Sequence, residues 1–419
     1  MSSLAGLRES IDTSDVTRAL GRASAPVRAI LDATLSGREL SETDAIALFR
    51  TEGADLIAVL SAANEVRREA KGERASFVVN RNINFTNICY MGCRFCNFAK
   101  RAEENDAELL PLGEVAARAK EAWLRGGTEV CIQGGLHPKI AGSHYGDIVR
   151  AIKAAVPEMH VHAFSPFEIW YGARKSRAPY AEFLRDLKVF GLGSVPGTAA
   201  EILDTEVRKV LTQDKLSAEA WVEIIRAVHG VGLPSTATIM YGHVDGPEHW
   251  AAHIGLIRGI QKETGGFTEF VPLGFIHDDS PLYRDIPGVR PGPTRDEHLK
   301  MHAVARLMLK GRIDNIQASW VKLGPELAQV MLHCGANDLG GTLMNESISR
   351  AAGAQWGQEV TPYEMVGIIR GAGRVPVQRT TLYQTVAVFD SATPEAMAPL
   401  VARRAPAAAE MLARRAYIG

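Results

Sequence analysis

"SFVVNRNINFTNICYMGCRFCNFAK", residues 76–100, opens as a β-rich run and ends in a crowd of thiols. Its first part, "SFVVNRNINF" (76–85), predicts a strand. Directly after it Cys89, Cys93 and Cys96 fall within eight positions, in a chain of 419 residues that contains only five cysteines. Gly92 and the lead-in Asn84–Asn87 predict a loop leaving the strand rather than a helix. A strand that delivers reactive side chains at its C-terminal end is the working unit of a (β/α)8 barrel.

Further strands are expected at 128–135, 159–165, 188–195, 235–243, 267–275 and 312–320, with a weak one at 337–341. Amphipathic helical stretches such as "LGEVAARAKEAWLRG" and "DEHLKMHAVARLMLKG" lie between them. Eight strands alternating with helices fit an α/β TIM-type barrel, whose usual span is about 250 residues; a doubly wound open sheet is the rival. Residues 1–75 read as a helical N-terminal extension, with a cap signal at Ser41–Asp44. The barrel is expected over 76–343 and a mainly helical C-terminal extension over 344–419, ending in the Ala/Arg-rich "PLVARRAPAAAEMLARRAYIG".

Hydrophobic residues make up 46% and charged residues 23%, the balance of a folded globular chain. A net charge of −1 gives no field to draw in nucleic acid or an acidic membrane. The N-terminus lacks the apolar core of a signal peptide and no stretch approaches a membrane span, so a cytoplasmic location is expected. Thiols there stay reduced, and a tight group of cysteines points to metal before disulfide. Neither G-x-G-x-x-G nor G-x-x-x-x-G-K-[ST] occurs.

The spacing of the three cysteines admits three readings. Steps of four and three form one helical stripe, as buried core cysteines would. Closed zinc sites take four ligands, and no second ligand pair follows here. A 4Fe-4S cluster held by three thiolates would leave one iron open for a small molecule. Cys131 and Cys334 read as core.

C-x3-C-x2-C with Phe95 before the third cysteine resembles the signature of the radical S-adenosylmethionine (SAM) superfamily. "CIQGGLHP", "HAFSPFEI", "PGTAAEILDTEVR" and "TIMYGHVD" extend the likeness, across roughly residues 60–385, to the FO synthase family and its tyrosine-using branch. The resemblance implies a 4Fe-4S cluster on Cys89, Cys93 and Cys96, with SAM on the open iron and a 5'-deoxyadenosyl radical formed from it. It also implies joining of the 4-hydroxybenzyl group of L-tyrosine to 5-amino-6-(D-ribitylamino)uracil, with iminoacetate, methionine and 5'-deoxyadenosine released. Expected partners are a ring-closing FO synthase subunit and a reductase or ferredoxin-like electron donor, since the chain has room for one radical domain. The menaquinone-pathway aminofutalosine-type synthases share the motifs and are the alternative; a zinc-binding module without turnover is the alternative of another class.

By the same likeness Phe95, Gly134, Gly135, Glu201, Lys215 and Tyr241 are expected around SAM, the glycines also being what a tight strand-to-helix turn requires. His162 and His243, at expected strand ends, are candidate proton donors or substrate contacts. His137, Glu168, Asp278, Asp279, Gln317 and Asn337 are candidates for the polar groups of the substrates.

Overall fold

Helical periodicity before residue 75 resolves into helices Val16–Arg22, Ala25–Leu35, Glu42–Phe49 and Gly53–Lys71 in the computed structural model, which describes residues 4, 6, 7, 11, 16–212 and 215–391. The third begins where the cap signal placed it: Ser41 Oγ accepts the Asp44 N–H at 3.1 Å. Asp44 does not return a capping-box bond but pairs with Arg38 at 3.0 Å.

The chain then enters the barrel through β1 (Arg74–Val78) and β2 (Asn80–Asn84), a single stave broken at Val79. It continues through β3 (Glu129–Gln133), β4 (His160–Ala163), β5 (Leu192–Ser194), β6 (Ser235–Tyr241), β7 (Phe267–Gly274) and β8 (Asp338–Gly341). Parallel ladders join β2 to β3, β3 to β4, β4 to β5 and β6 to β7. The Val195–Ser235 bridge links β5 to β6, and bridges Phe270–Ile316 and Gln317–Asp338 insert residues 316–317 as the seventh stave. β8 pairs with β1, and the circle of eight closes.

Outward-facing Val130, Ile132, Val161 and Ala163 are fully buried against the helical ring, where Ser143–Ala155 presents Ile148, Val149 and Ile152. Two strand expectations shift. In 188–195 the first residues complete helix Tyr180–Phe190, which Gly191 ends at φ 112°, leaving only β5 as strand. Of 312–320, only the bridging pair 316–317 is extended and paired.

The C-terminal extension is not purely helical. After helices Ile348–Ala351 and Pro362–Gly371 come β9 (Val375–Arg379), parallel to β1, and β10 (Thr385–Val388), antiparallel to β9. β9 delivers Arg379 into the barrel, where its guanidinium grips Asp338 with two bonds of 2.6 and 2.8 Å. "PLVARRAPAAAEMLARRAYIG" lies outside the described residues.

Candidate active site

The segment carrying the cysteines is an irregular loop, not a helix. Its neck is closed by Cys89 N–H to Lys100 O at 3.0 Å and Lys100 N–H to Asn87 O at 2.8 Å. Its tip is stapled by Arg94, whose N–H reaches Leu211 O at 3.0 Å and whose carbonyl accepts the Leu282 N–H at 2.7 Å. All three thiols line the mouth of one cavity of about 420 Å³ that runs down the barrel axis. That volume suits a small organic ligand rather than an ion alone.

Gly134 and Gly135 fit β3 under this loop. A Cβ on Gly134 would meet the Phe85 ring at 2.6 Å; one on Gly135 would meet Ile88 O at 2.4 Å and Cys89 Cβ at 2.9 Å. The two glycines thus answer first to protein packing, while still lining the cavity. Across the mouth, the Lys215 ammonium pairs with the Glu201 carboxylate and sits 4.8 Å over the Phe95 ring. Ala199 and Glu201 hold positive φ of 65° and 44°, as Phe164 does after β4 at 56°. Left-handed backbone at non-glycine residues collects at this rim, as strain does at functional sites.

The donor set suits an iron–sulfur cluster. It consists of thiols, which select soft metals. Burial raises the Cys93 thiol above its ordinary range and pushes Cys96 up to about 11, so bare thiolates here lack compensation that a bound cationic group supplies. Among the described residues no three His, Cys, Asp or Glu side chains gather closely enough to hold a metal ion. Thiolates on a cluster each bind a different iron and have no need to converge on one point.

Below the mouth the staves turn polar residues inward. Asn80, Asn82 and Asn84 pair in register with Glu129, Cys131 and Gln133, and Cys131 pairs with His162. All seven line the cavity, as side chains on one face of adjacent strands must. β6 adds Thr236 and Thr238, and the floor is Glu269 and Arg379. Cys131 therefore faces the cavity and not the core; burial pushes its thiol up to about 12.

His162 lines the cavity with Nδ1 2.6 Å from Ser194 Oγ, and burial pushes it down to about 4, so it is neutral near pH 7. Glu168 also lines it and accepts from Ser165 N–H at 2.8 Å, Ser165 Oγ–H at 2.7 Å and Gly134 N–H at 2.9 Å. Burial outweighs these bonds and raises Glu168 from its ordinary 4.5 to about 7. The folded state then holds this proton more tightly than the unfolded one. The stabilisation is full below pH 4.5 and lost as pH rises through about 7. Glu168→Gln should remove that slope. Between pH 5 and 8 the wild type should lose on the order of 2 kcal/mol more than the variant in urea titrations. Equal slopes would contradict the assignment.

Several expected site residues lie elsewhere. Tyr241 points outward from β6, with its hydroxyl 2.6 Å from His298 Nδ1. His243 is fully buried outside the cavity, Nε2 3.1 Å from Met240 O and Nδ1 accepting the Val244 N–H at 2.8 Å. His137 Nδ1 accepts the Lys139 N–H at 3.1 Å in its own turn. Asn337 Oδ1 accepts from Arg306 and from Ile316 N–H, bracing the seventh stave. Asp278 and Asp279 also lie off the cavity. Gln317 does line it.

Comparison with known proteins places this geometry. Residues 83–257 match the radical SAM superfamily and residues 264–392 the CofH/MqnC C-terminal region. The 5-amino-6-(D-ribitylamino)uracil–L-tyrosine 4-hydroxyphenyl transferase of Methanopyrus kandleri is 53% identical over 331 residues, 79% of this chain and 89% of its own. The chain belongs to the FO synthase family. The FO synthase of Mycobacterium tuberculosis H37Rv is 56% identical over 342 residues, 82% of this chain. The chain spans only 40% of that relative's length. Among solved structures, methylornithine synthase (PylB) superposes with TM-score 0.64 at 20% identity, over 83% of this chain and 97% of its own. The FeFe-hydrogenase maturase HydG of Carboxydothermus hydrogenoformans gives 0.66 at 15% identity, over 91% and 87%. Both carry the fold alone. As a radical SAM enzyme, this FO synthase family member uses a 4Fe-4S cluster and SAM. Among its described residues no helix is long and apolar enough to cross a membrane.

Proposed function

We propose that this chain joins the 4-hydroxybenzyl group of L-tyrosine to 5-amino-6-(D-ribitylamino)uracil, releasing iminoacetate, methionine and 5'-deoxyadenosine. The observation that carries this reading is the 53% identity to the Methanopyrus kandleri transferase across 89% of its length. Cys89, Cys93 and Cys96 would hold the cluster, with the Lys215–Glu201 pair and Phe95 beside the bound SAM. When bound, the cluster and SAM would supply reductive cleavage of the sulfonium and a strong hydrogen-atom acceptor.

The protein's own part is orientation and exclusion of water. A uracil with a ribityl chain presents many donors and acceptors, and Asn82, Asn84, Gln133 and Gln317 offer amides to match them inside the barrel. His162, held neutral near pH 7 by burial, offers the substrates a hydrogen-bonding ring nitrogen rather than an acid. A ring-closing FO synthase subunit would take the product, and a reductase or ferredoxin-like protein would supply electrons.

Anaerobic turnover of reconstituted, reduced enzyme tests this. Mass spectrometry should show tyrosine-dependent 5'-deoxyadenosine together with a hydroxybenzyl–uracil adduct. Deoxyadenosine without the adduct would redirect the assignment to the aminofutalosine-type synthases, whose kin share the CofH/MqnC C-terminal region. A colourless, zinc-loaded protein would favour the module without turnover.

A further inference from the structure

Among the described residues eight Lys, Arg and Glu side chains line the cavity: Lys215, Lys322, Arg379 and five glutamates. Most are already matched. Lys215 holds Glu201, and Arg379 holds Asp338 and lies 3.6 Å from Glu269, which also accepts from Tyr383. Glu129 accepts from Asn80, and Glu168 from Ser165 and Gly134. Two remain. The Lys322 ammonium makes no hydrogen bond or ion pair with any described group. Among the described residues Glu346 accepts only the Ser349 N–H, 3.0 Å from each oxygen, which leaves most of its lone-pair sites unused. The pair is close enough to feel one another's field, yet no ion pair joins them.

Both are held in place at some cost. Lys322 lies in the first turn of helix Trp320–Met331, cut off from the rest by Gly324 at φ 74° and Pro325, and Trp320 Nε1 anchors that turn to Gly341 O at 2.9 Å. Glu346 follows Leu343, Met344 and Asn345, three non-glycine residues in succession at φ 67°, 25° and 93°. Such conformations cost about 1–3 kcal/mol each and persist only where the surroundings enforce them. Here Leu343 N–H is fixed to Asn80 Oδ1 at 2.8 Å, and the Asn345 and Glu346 N–H groups both reach Gln358 O. The following segment touches the cysteine loop, Asn97 Nδ2 to Ala351 O at 2.9 Å.

We infer that Lys322 and Glu346 form the subsite for a free α-amino acid, Lys322 receiving its carboxylate and Glu346 its ammonium. Two opposite charges held apart inside a barrel leave room for a zwitterion between them, and each would otherwise stay buried and unmatched. The inference rests on the tyrosine reading above and specifies which residues meet that substrate's polar end. Neither residue is conspicuous in the sequence.

The test is equilibrium binding to the anaerobic holoenzyme with SAM present, comparing L-tyrosine, tyramine and 3-(4-hydroxyphenyl)propionate. Lys322→Met should weaken L-tyrosine about 10- to 100-fold and leave tyramine, which lacks the carboxylate, unchanged. Lys322→Arg should restore part of the loss. Glu346→Gln should weaken L-tyrosine and tyramine while sparing the propionate, which lacks the amine. Equal weakening of L-tyrosine and tyramine by Lys322→Met would overturn the subsite. If the wild type ignores tyrosine but binds another α-amino acid with the same Lys322 dependence, the subsite stands and the tyrosine reading falls. If it binds the ring-bearing analogues regardless of their charged ends, the subsite falls and the tyrosine reading survives.

Discussion

Cys93→Ala is expected to give a folded, colourless protein in which SAM cleavage falls by at least about 10⁴-fold. Loss of a ligand here removes the group that supplies the chemistry rather than weakening one contact to a transition state. Cys93 is fixed in the site's wall, its sulfur accepting from Thr212 Oγ1 at 3.7 Å and its loop stapled at Arg94. Cys131→Ala is the informative control. Its thiol lines the same cavity but rises from β3 between Glu129 and Gln133, away from the cysteine loop. Iron analysis and the visible spectrum should separate the two variants: Cys131→Ala keeps the brown chromophore and Cys93→Ala loses it. Loss in both would mean that the ligand set has been misassigned.

The second large effect concerns stability. Arg379→Met should cost about 3–5 kcal/mol, because it leaves Asp338 buried without its counter-charge. The two side chains are 4% and 0% exposed and share a bidentate contact. Glu269, raised to about 7 chiefly by burial and partly by Asp338, would lose the Arg379 charge that opposes those effects. Denaturant midpoints read the loss directly. Changing Asp338 to leucine in the same chain should recover part of it, since the remaining cost of the single variant is an unmatched charge. A single-variant cost below about 1 kcal/mol would mean that water reaches Asp338.

How far the sequence spoke depended on how strictly chemistry constrains it. The cysteine spacing was legible because a cluster fixes both the residue type and the intervals. Most staves were legible because β-branched runs recur between amphipathic helices. β9 was not, since "VPVQR" carries a proline and an arginine that argue against an interior strand. Tyr241, expected near SAM from the family likeness, and His243, expected there as a strand end, both lie off the cavity. Parity along β6 settles the matter for Tyr241: Thr236, Thr238 and Met240 face inward, so Tyr241 must face the helices. The same alternation in N-R-N-I-N and E-V-C-I-Q marks an interior of polar side chains where a filled barrel would carry Val, Ile and Leu. Lys322 and Glu346 left no such mark. Their role depends on what fails to pair with them, which only three dimensions reveal.

β9 also sets a timetable for the molecule. β1 gains its neighbours late: Ser76 lies 262 residues before its contact Asp338, and Glu73 lies 301 residues before its contact Arg374. During synthesis β2 finds its partner β3 early, but the β1 half of the stave emerges with both edges open and stays so while nearly the whole barrel is made. Closure of so long a loop makes the final step slow relative to the local helix–strand units. Arg379 arrives with that last step and completes the cavity floor beside Glu269. A nascent or truncated chain ending before residue 375 would therefore present a cysteine loop above a barrel whose floor lacks Arg379. Completion of the cavity floor is thereby tied to the last stage of synthesis, whereas the cysteine loop's anchors at Leu211, Leu282 and Ala351 are all made before it.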